Sequence, residues 1–112
     1  MNIYQTGLIY ELRAARYVKK RGYRILDRRF RALDGEIDLI CKDQDVIIFL
    51  EVKARPAARL GAGIEAVHAD KRRRIRAAAS VYIKRHKLQD VACRFDIIEF
   101  SRAGAVYMEN AF

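Results

Sequence analysis

The sequence predicts an α/β domain of order α-β-β-β-α-β-β, with a central mixed sheet flanked by helices. Three observations carry this. Two stretches repeat their apolar residues at three- and four-residue steps, the period of a helix. Between and after them lie short runs that either alternate apolar with polar or are apolar throughout, the two patterns of strands. A length of 112 residues then fits a single domain with one core, spanning 1–112.

Each element follows from its own residues. From Tyr4 to Arg21, the residues Tyr4, Leu8, Leu12, Ala15 and Val18 share a helix face, and Gly22 supplies the stop. Arg24 to Arg31 holds short apolar pieces in a basic setting and reads as an edge strand. Glu36 to Lys42 alternates, placing Ile37, Leu39 and Cys41 on one face and Glu36, Asp38, Ile40 and Lys42 on the other. Val46 to Ala54 is apolar enough for a central strand until Glu51 and Lys53 interrupt it. Arg55 to Gly63, with Pro56, Gly61 and Gly63, has the composition of a loop that could close over a ligand. Ala69 to His86 is a second helix, its stripe of Ile75, Ala78, Ala79, Tyr82 and Ile83 facing a core while Arg72, Arg73, Arg76, Lys84 and Lys87 stay in water. Phe95 to Phe100 and Ala105 to Met108, around a turn at Gly104, close the sheet.

Composition excludes several classes. The longest apolar run, Val46 to Leu50, falls far short of the roughly 18 residues of a membrane span, so a membrane is not an expected partner and the cytoplasm is the expected location. Cys41 and Cys93 lack the paired spacing of a zinc site and are expected to be small reduced core residues. His68 and His86 have no partner at ligand spacing.

Charge points to a polyanion. Lys and Arg number 23 against 14 Asp and Glu, a formal net charge of +9. The excess is local, with nine basic residues against Asp27 alone in 13–31 and eight against none in 71–87. Sixteen of the 23 are Arg, whose planar fork matches phosphate oxygens, so nucleic acid is favoured over a merely solvated surface. A second copy of the chain is carried as a further candidate partner.

The chemistry-bearing residues are polar groups on surfaces that should be apolar. If strands 36–42 and 46–54 form a hairpin around Gln44-Asp45, residues whose numbers sum to 89 stand opposite each other, and Asp38 faces Glu51. Cβ atoms about 5 Å apart put two like charges in repulsion by roughly 3 kcal/mol at an effective dielectric of 20. A shared Mg²⁺ offsets that simply, because it binds through one or two carboxylates and keeps water and phosphate oxygens as its other ligands. Lys53 lies on the same face, and Glu11 falls at the edge of the first helix's apolar stripe. The same pattern also reads as a surface salt-bridge ladder.

The run Gly35-Glu36-Ile37-Asp38-Leu39-Ile40, followed by Phe49-Leu50-Glu51-Val52-Lys53-Ala54-Arg55, resembles the signature of the YraN (UPF0102) family. That family in turn resembles the PD-(D/E)xK nuclease superfamily and archaeal Holliday-junction resolvases, with Asp38, twelve residues, then Glu51-Val52-Lys53 as the core motif. The similarity extends to Gly7, Glu11 and Ala14, to Gly22 through Leu26, to Lys71, to Arg94-Phe95-Asp96 and to Asn110-Ala111-Phe112. Tyr10 and Arg29 depart from it, standing where Gly and Asn are expected.

The resemblance implies a restriction-endonuclease-like fold and a metal-dependent endonuclease acting on structured or branched DNA. It implies that Asp38, Glu51 and Glu11 hold Mg²⁺ or Mn²⁺ and that Lys53 orients the attacking water, which makes Glu11, Asp38, Glu51 and Lys53 the catalytic set. Lys71, Arg72, Arg73 and Arg76 are the expected nucleic-acid contacts. A catalytically silent nucleic-acid-binding module of the same fold is the alternative, and a protein-interaction adaptor the third reading.

Overall fold

The structure is a computed structural model that describes residues 3–55 and 69–112. Its order is α1 (Ile3–Lys20), β1 (Arg24–Ala32), β2 (Gly35–Asp43), β3 (Val46–Ala54), α2 (Ala69–Arg85), β4 (Cys93–Ser101) and β5 (Gly104–Met108), which is the expected order. The five strands form one sheet in the order β1-β2-β3-β4-β5. Tight two-residue turns make β1, β2 and β3 antiparallel, whereas β3 and β4 are parallel and require the α2 crossover between them. β5 returns antiparallel to β4. Most of the loop expected over Arg55 to Gly63, and His68, lie outside the described residues. No described helix is long and apolar enough to cross a membrane.

Two apolar clusters cover the two faces of the sheet. Ala14, Ala15 and Val18 of α1 pack with Leu39, Cys41, Ile48, Leu50, Ile98 and Phe100. Ile75, Ala78, Ala79 and Tyr82 of α2 pack with Phe30, Ile37, Ile40, Ile47, Phe49 and Phe95. β3 contributes to both clusters because its alternating residues point to both covered faces, as its nearly continuous apolar run predicts.

Four expectations are corrected. Leu12 is 56% exposed, because the face of α1 that meets the sheet runs through Tyr10, Ala14, Tyr17 and Val18. Cys93 is exposed at the first residue of β4, while Cys41 is buried and burial pushes its thiol up to about 12. Arg72 is half-buried rather than free in water. Ile37 joins the α2 cluster while Leu39 and Cys41 join the α1 cluster, so the regular alternation of β2 breaks at Asp38.

Candidate active site

The β2–β3 hairpin holds the expected register, from Asp43 opposite Val46 to Leu39 opposite Leu50. The ladder ends there, where Asp38 and Glu51 come next. In place of a backbone partner, the Val52 N–H donates to Asp38 Oδ2 at 2.8 Å. A side chain therefore takes the amide that the interrupted ladder leaves over, and the break in β2 aims a carboxylate at the end of β3. On the other side of β2, Arg28 faces Leu39 and Phe30 faces Ile37, which leaves Arg29 between them at the position across from Asp38. Arg29 has φ 51, a left-handed backbone within a strand, and its Nε donates to Glu11 Oε2 at 2.7 Å.

Helix α2 brings the second lysine. A Cβ on buried Gly35 would overlap the Arg74 carbonyl oxygen, so only glycine lets the helix approach β2 this closely. That approach seats Lys71 Nζ 2.9 Å from Glu51 Oε1, and Lys53 Nζ lies 3.6 Å from the same oxygen. Glu51 is only 7% exposed, so its charge is held by these two ammonium groups rather than by water.

Burial and the neighbouring Glu51 charge raise the Asp38 carboxyl to about 7, against the pull of the Val52 hydrogen bond. Burial and the bond to Lys71 lower Lys53 to about 8, although Glu51 opposes the change. Burial also disfavours the charge on Lys71, but Glu51, the bond to Lys53 and Asp38 together outweigh it, and Lys71 stands above its ordinary value. The two lysines are thus differentiated. Lys71 is the one whose charge its surroundings favour, and Lys53 the one whose charge they disfavour.

A cleft of about 320 Å³ runs from Asp34 and Glu36 to Ile75, and a second of about 270 Å³ runs from Gly7, Tyr10 and Glu11 to Lys53 and Ala54. Asp38, Glu51 and Lys71 line both, so they form the wall the two clefts share.

The model of the "Uncharacterised protein family UPF0102" matches residues 10–100, a span that includes Glu11, Asp38, Glu51, Lys53 and Lys71. The chain belongs to the UPF0102 family. It is 45% identical over 113 residues to a UPF0102 protein of Symbiobacterium thermophilum, covering 96% of each chain. A UPF0102 protein of Pelotomaculum thermopropionicum is 40% identical over 95% of this chain and 93% of its own, and one of Herminiimonas arsenicoxydans 35% identical over 94% and 84%.

In this UPF0102 protein the structure brings Asp38, Glu51, Lys53 and Lys71 together, with Glu11 on the wall of the second cleft. Arg72, Arg73 and Arg76 line neither cleft. Arg73 is bonded to Asp70 at 2.8 Å, and the Arg76 guanidinium stacks 4.7 Å from the Phe95 ring centre. The grip of Lys71 on Glu51 and the pairing of Arg29 with Glu11 are features that sequence reasoning missed. The signal for the first was read only in part, since Lys71 sharing a helix face with Ile75, Ala78 and Tyr82 places its amine near the cleft without naming Glu51 as its partner. For the second it was a bulky cation where Asn, tolerant of left-handed backbone, was expected.

Among the described residues, no three His, Cys, Asp or Glu side chains gather closely enough to hold a metal ion. The donor set present is the pair Asp38 and Glu51. Two neighbouring carboxylates, one of them raised to about 7 by burial and then by the other's charge, suit Mg²⁺, which binds through one or two protein carboxylates. Glu11 could join them only after leaving Arg29.

Proposed function

We propose that this protein is a metal-dependent endonuclease that hydrolyses phosphodiester bonds in structured or branched DNA. The observation that carries the reading is the wall shared by the two clefts, where buried Glu51 and partly buried Asp38 face Lys53 and Lys71. Asp38 and Glu51 would hold Mg²⁺ or Mn²⁺, which supplies Lewis-acid charge to a phosphate and acidifies water. Lys71, whose charge the neighbouring Glu51 favours, would bind a non-bridging phosphate oxygen. Lys53, with a lowered pKa, orients the attacking water and answers the charge that develops on the phosphate. A core that buries two acids at a phosphate site has a use for them only if a cation is recruited. A pure nucleic-acid binder has no such use.

The test is a cleavage panel of duplex, single-stranded, flapped and four-way DNA with Mg²⁺ or Mn²⁺. The parent should cut at least one substrate in a metal-dependent way, and Asp38→Asn should abolish cutting while binding DNA as well as the parent or better. Lys53→Ala should lose roughly 10²-fold or more in rate with little change in affinity, because its interaction strengthens only in the transition state. A parent that binds but cuts none of them with either metal leaves the silent binding module as the reading.

A further inference from the structure

A third cleft, of about 220 Å³, lies between α1 and the β4–β5 end of the sheet and is lined by Arg13, Arg16, Tyr17, Lys20, Phe100 and Ala105. Three of its six residues are cations and none is an acid. Residues 13, 16, 17 and 20 stand at i, i+3, i+4 and i+7, so they share one face of α1. Arg13, Arg16 and Lys20 are all exposed, and no described carboxylate pairs with them. The basic stripe of α2 differs, because there Arg73 and Arg74 are both paired with Asp70.

The third cleft also adjoins the active site. Tyr10 lines the cleft of Glu11 and Lys53, and its ring lies 5.6 Å from that of Phe100. The Arg13 guanidinium sits 4.9 Å from the Phe100 ring centre and 5.4 Å from that of Tyr10, so it stands where one cleft passes into the other. From Glu11 to Lys20 the helix rises about 13 Å, a length that accommodates about four nucleotides of one DNA strand. At the far end Tyr17 stacks flat on Tyr107, at 5.8 Å and 3°, giving the cleft an aromatic wall beside its cations. Cations along a groove are the ordinary means of following the backbone of a single strand.

We propose that Arg13, Arg16 and Lys20 form a track for one DNA strand entering or leaving the active site, and that this track on α1 outweighs the arginines of α2 in binding. The proposal rests on the reading of the Asp38 and Glu51 site as one that takes a DNA backbone. It is tested by fluorescence anisotropy in EDTA, with a fluorescein-labelled single strand of about 20 nucleotides and a forked duplex, each titrated across NaCl concentrations. Arg16→Glu with Lys20→Glu should weaken binding at least fivefold and reduce the log–log salt slope by about 0.7–0.9 for each phosphate no longer neutralised. Arg13→Gln should weaken it in the same direction, and Arg73→Glu with Arg76→Glu, the matched change of charge on α2, should weaken it less than the α1 pair.

Thermal unfolding confirms that each variant is folded. A loss below fivefold in the folded α1 variant overturns the proposal, as does a larger loss in the α2 variant or a parent that binds neither probe. Binding in EDTA needs neither metal nor cleavage, so the two readings fail separately. A parent that binds along α1 but cuts nothing sinks the endonuclease and leaves the track. One that cuts DNA while the α1 variants bind normally does the reverse.

Discussion

Asp96 and Asp38 are both withdrawn from water, and their surroundings treat them in opposite ways. Asp96 is fully buried, and Arg94 Nε reaches both its oxygens at 3.1 and 3.0 Å while the Tyr107 hydroxyl donates at 2.5 Å and the Asn110 N–H at 3.0 Å. Arg94 also donates to the Tyr23 hydroxyl at 2.9 Å, which ties β1's approach and the chain's end to β4. Burial alone would lower Arg94, but its bonds to Asp96 hold it above its ordinary value, and burial together with Asp96 raises Tyr107. Asp38 has one backbone donor, a carboxylate neighbour and an open cleft. A buried acid whose donors are all fixed is structural, whereas one left beside a like charge and an opening can recruit a ligand.

The largest expected effect tests the structural half of this contrast. Asp96→Ala leaves Arg94 Nε, the Tyr107 hydroxyl and the Asn110 amide without their acceptor, and breaking a buried ion pair from one side costs about 3–5 kcal/mol. Urea unfolding at neutral pH should show a loss of that size. Asp38→Asn, which keeps an oxygen for the Val52 amide, should be no less stable than the parent. Equal losses in the two variants would erase the distinction.

The next effect is smaller and depends on pH. The Asp38 carboxyl titrates at about 7 in the folded chain, above its unfolded value near 3.9, so the folded state binds the extra proton between the two. Its contribution is fully present below the unfolded value and is lost as pH rises towards 7. Asp38→Asn lacks this fall, so in EDTA its stability relative to the parent should improve between pH 4 and pH 7.5, by on the order of 1–3 kcal/mol. Lys53, lowered to about 8, has the opposite slope at higher pH, because its buried charge is a cost that deprotonation relieves between about 8 and 10.5. A difference between Asp38→Asn and the parent that stays flat from pH 4 to 7.5 would count against an Asp38 carboxyl held beside a like charge.

The sequence made some of this legible and hid the rest for identifiable reasons. The hairpin register could be read because Gln44-Asp45 leaves few ways to pair the two strands around it, and it placed Asp38 beside Glu51. The break at Asp38 could not be read, because period two is blind to a strand that changes face where its ladder ends. Charge counting found both basic stripes without telling them apart. Which arginines are already engaged depends on Asp70 for Arg73 and on Phe95, from the strand that follows the helix, for Arg76. Likewise, the use of Gly35 in admitting α2, and with it Lys71, is a contact between distant segments that no local pattern shows.

The smallest effect concerns Glu11, which the contrast leaves between its two classes. Its partner Arg29 is about one-third exposed, so the pair contributes about 0–1 kcal/mol, and Arg29 also holds a left-handed backbone that Asn adopts more readily. Arg29→Asn should therefore change stability by less than about 1 kcal/mol, the broken pair offset by the relieved backbone. The same substitution removes the cation paired with Glu11 and frees a carboxylate of the second cleft, whose charge the titration of Asp38 already feels. Calorimetry should then show Mn²⁺ binding several-fold more tightly than in the parent, and Glu11→Gln in the Arg29→Asn background should cancel the gain. If the gain persists without Glu11, it comes from removing the arginine's charge alone, and Glu11 belongs with Asp96 as an acid satisfied by its own partner.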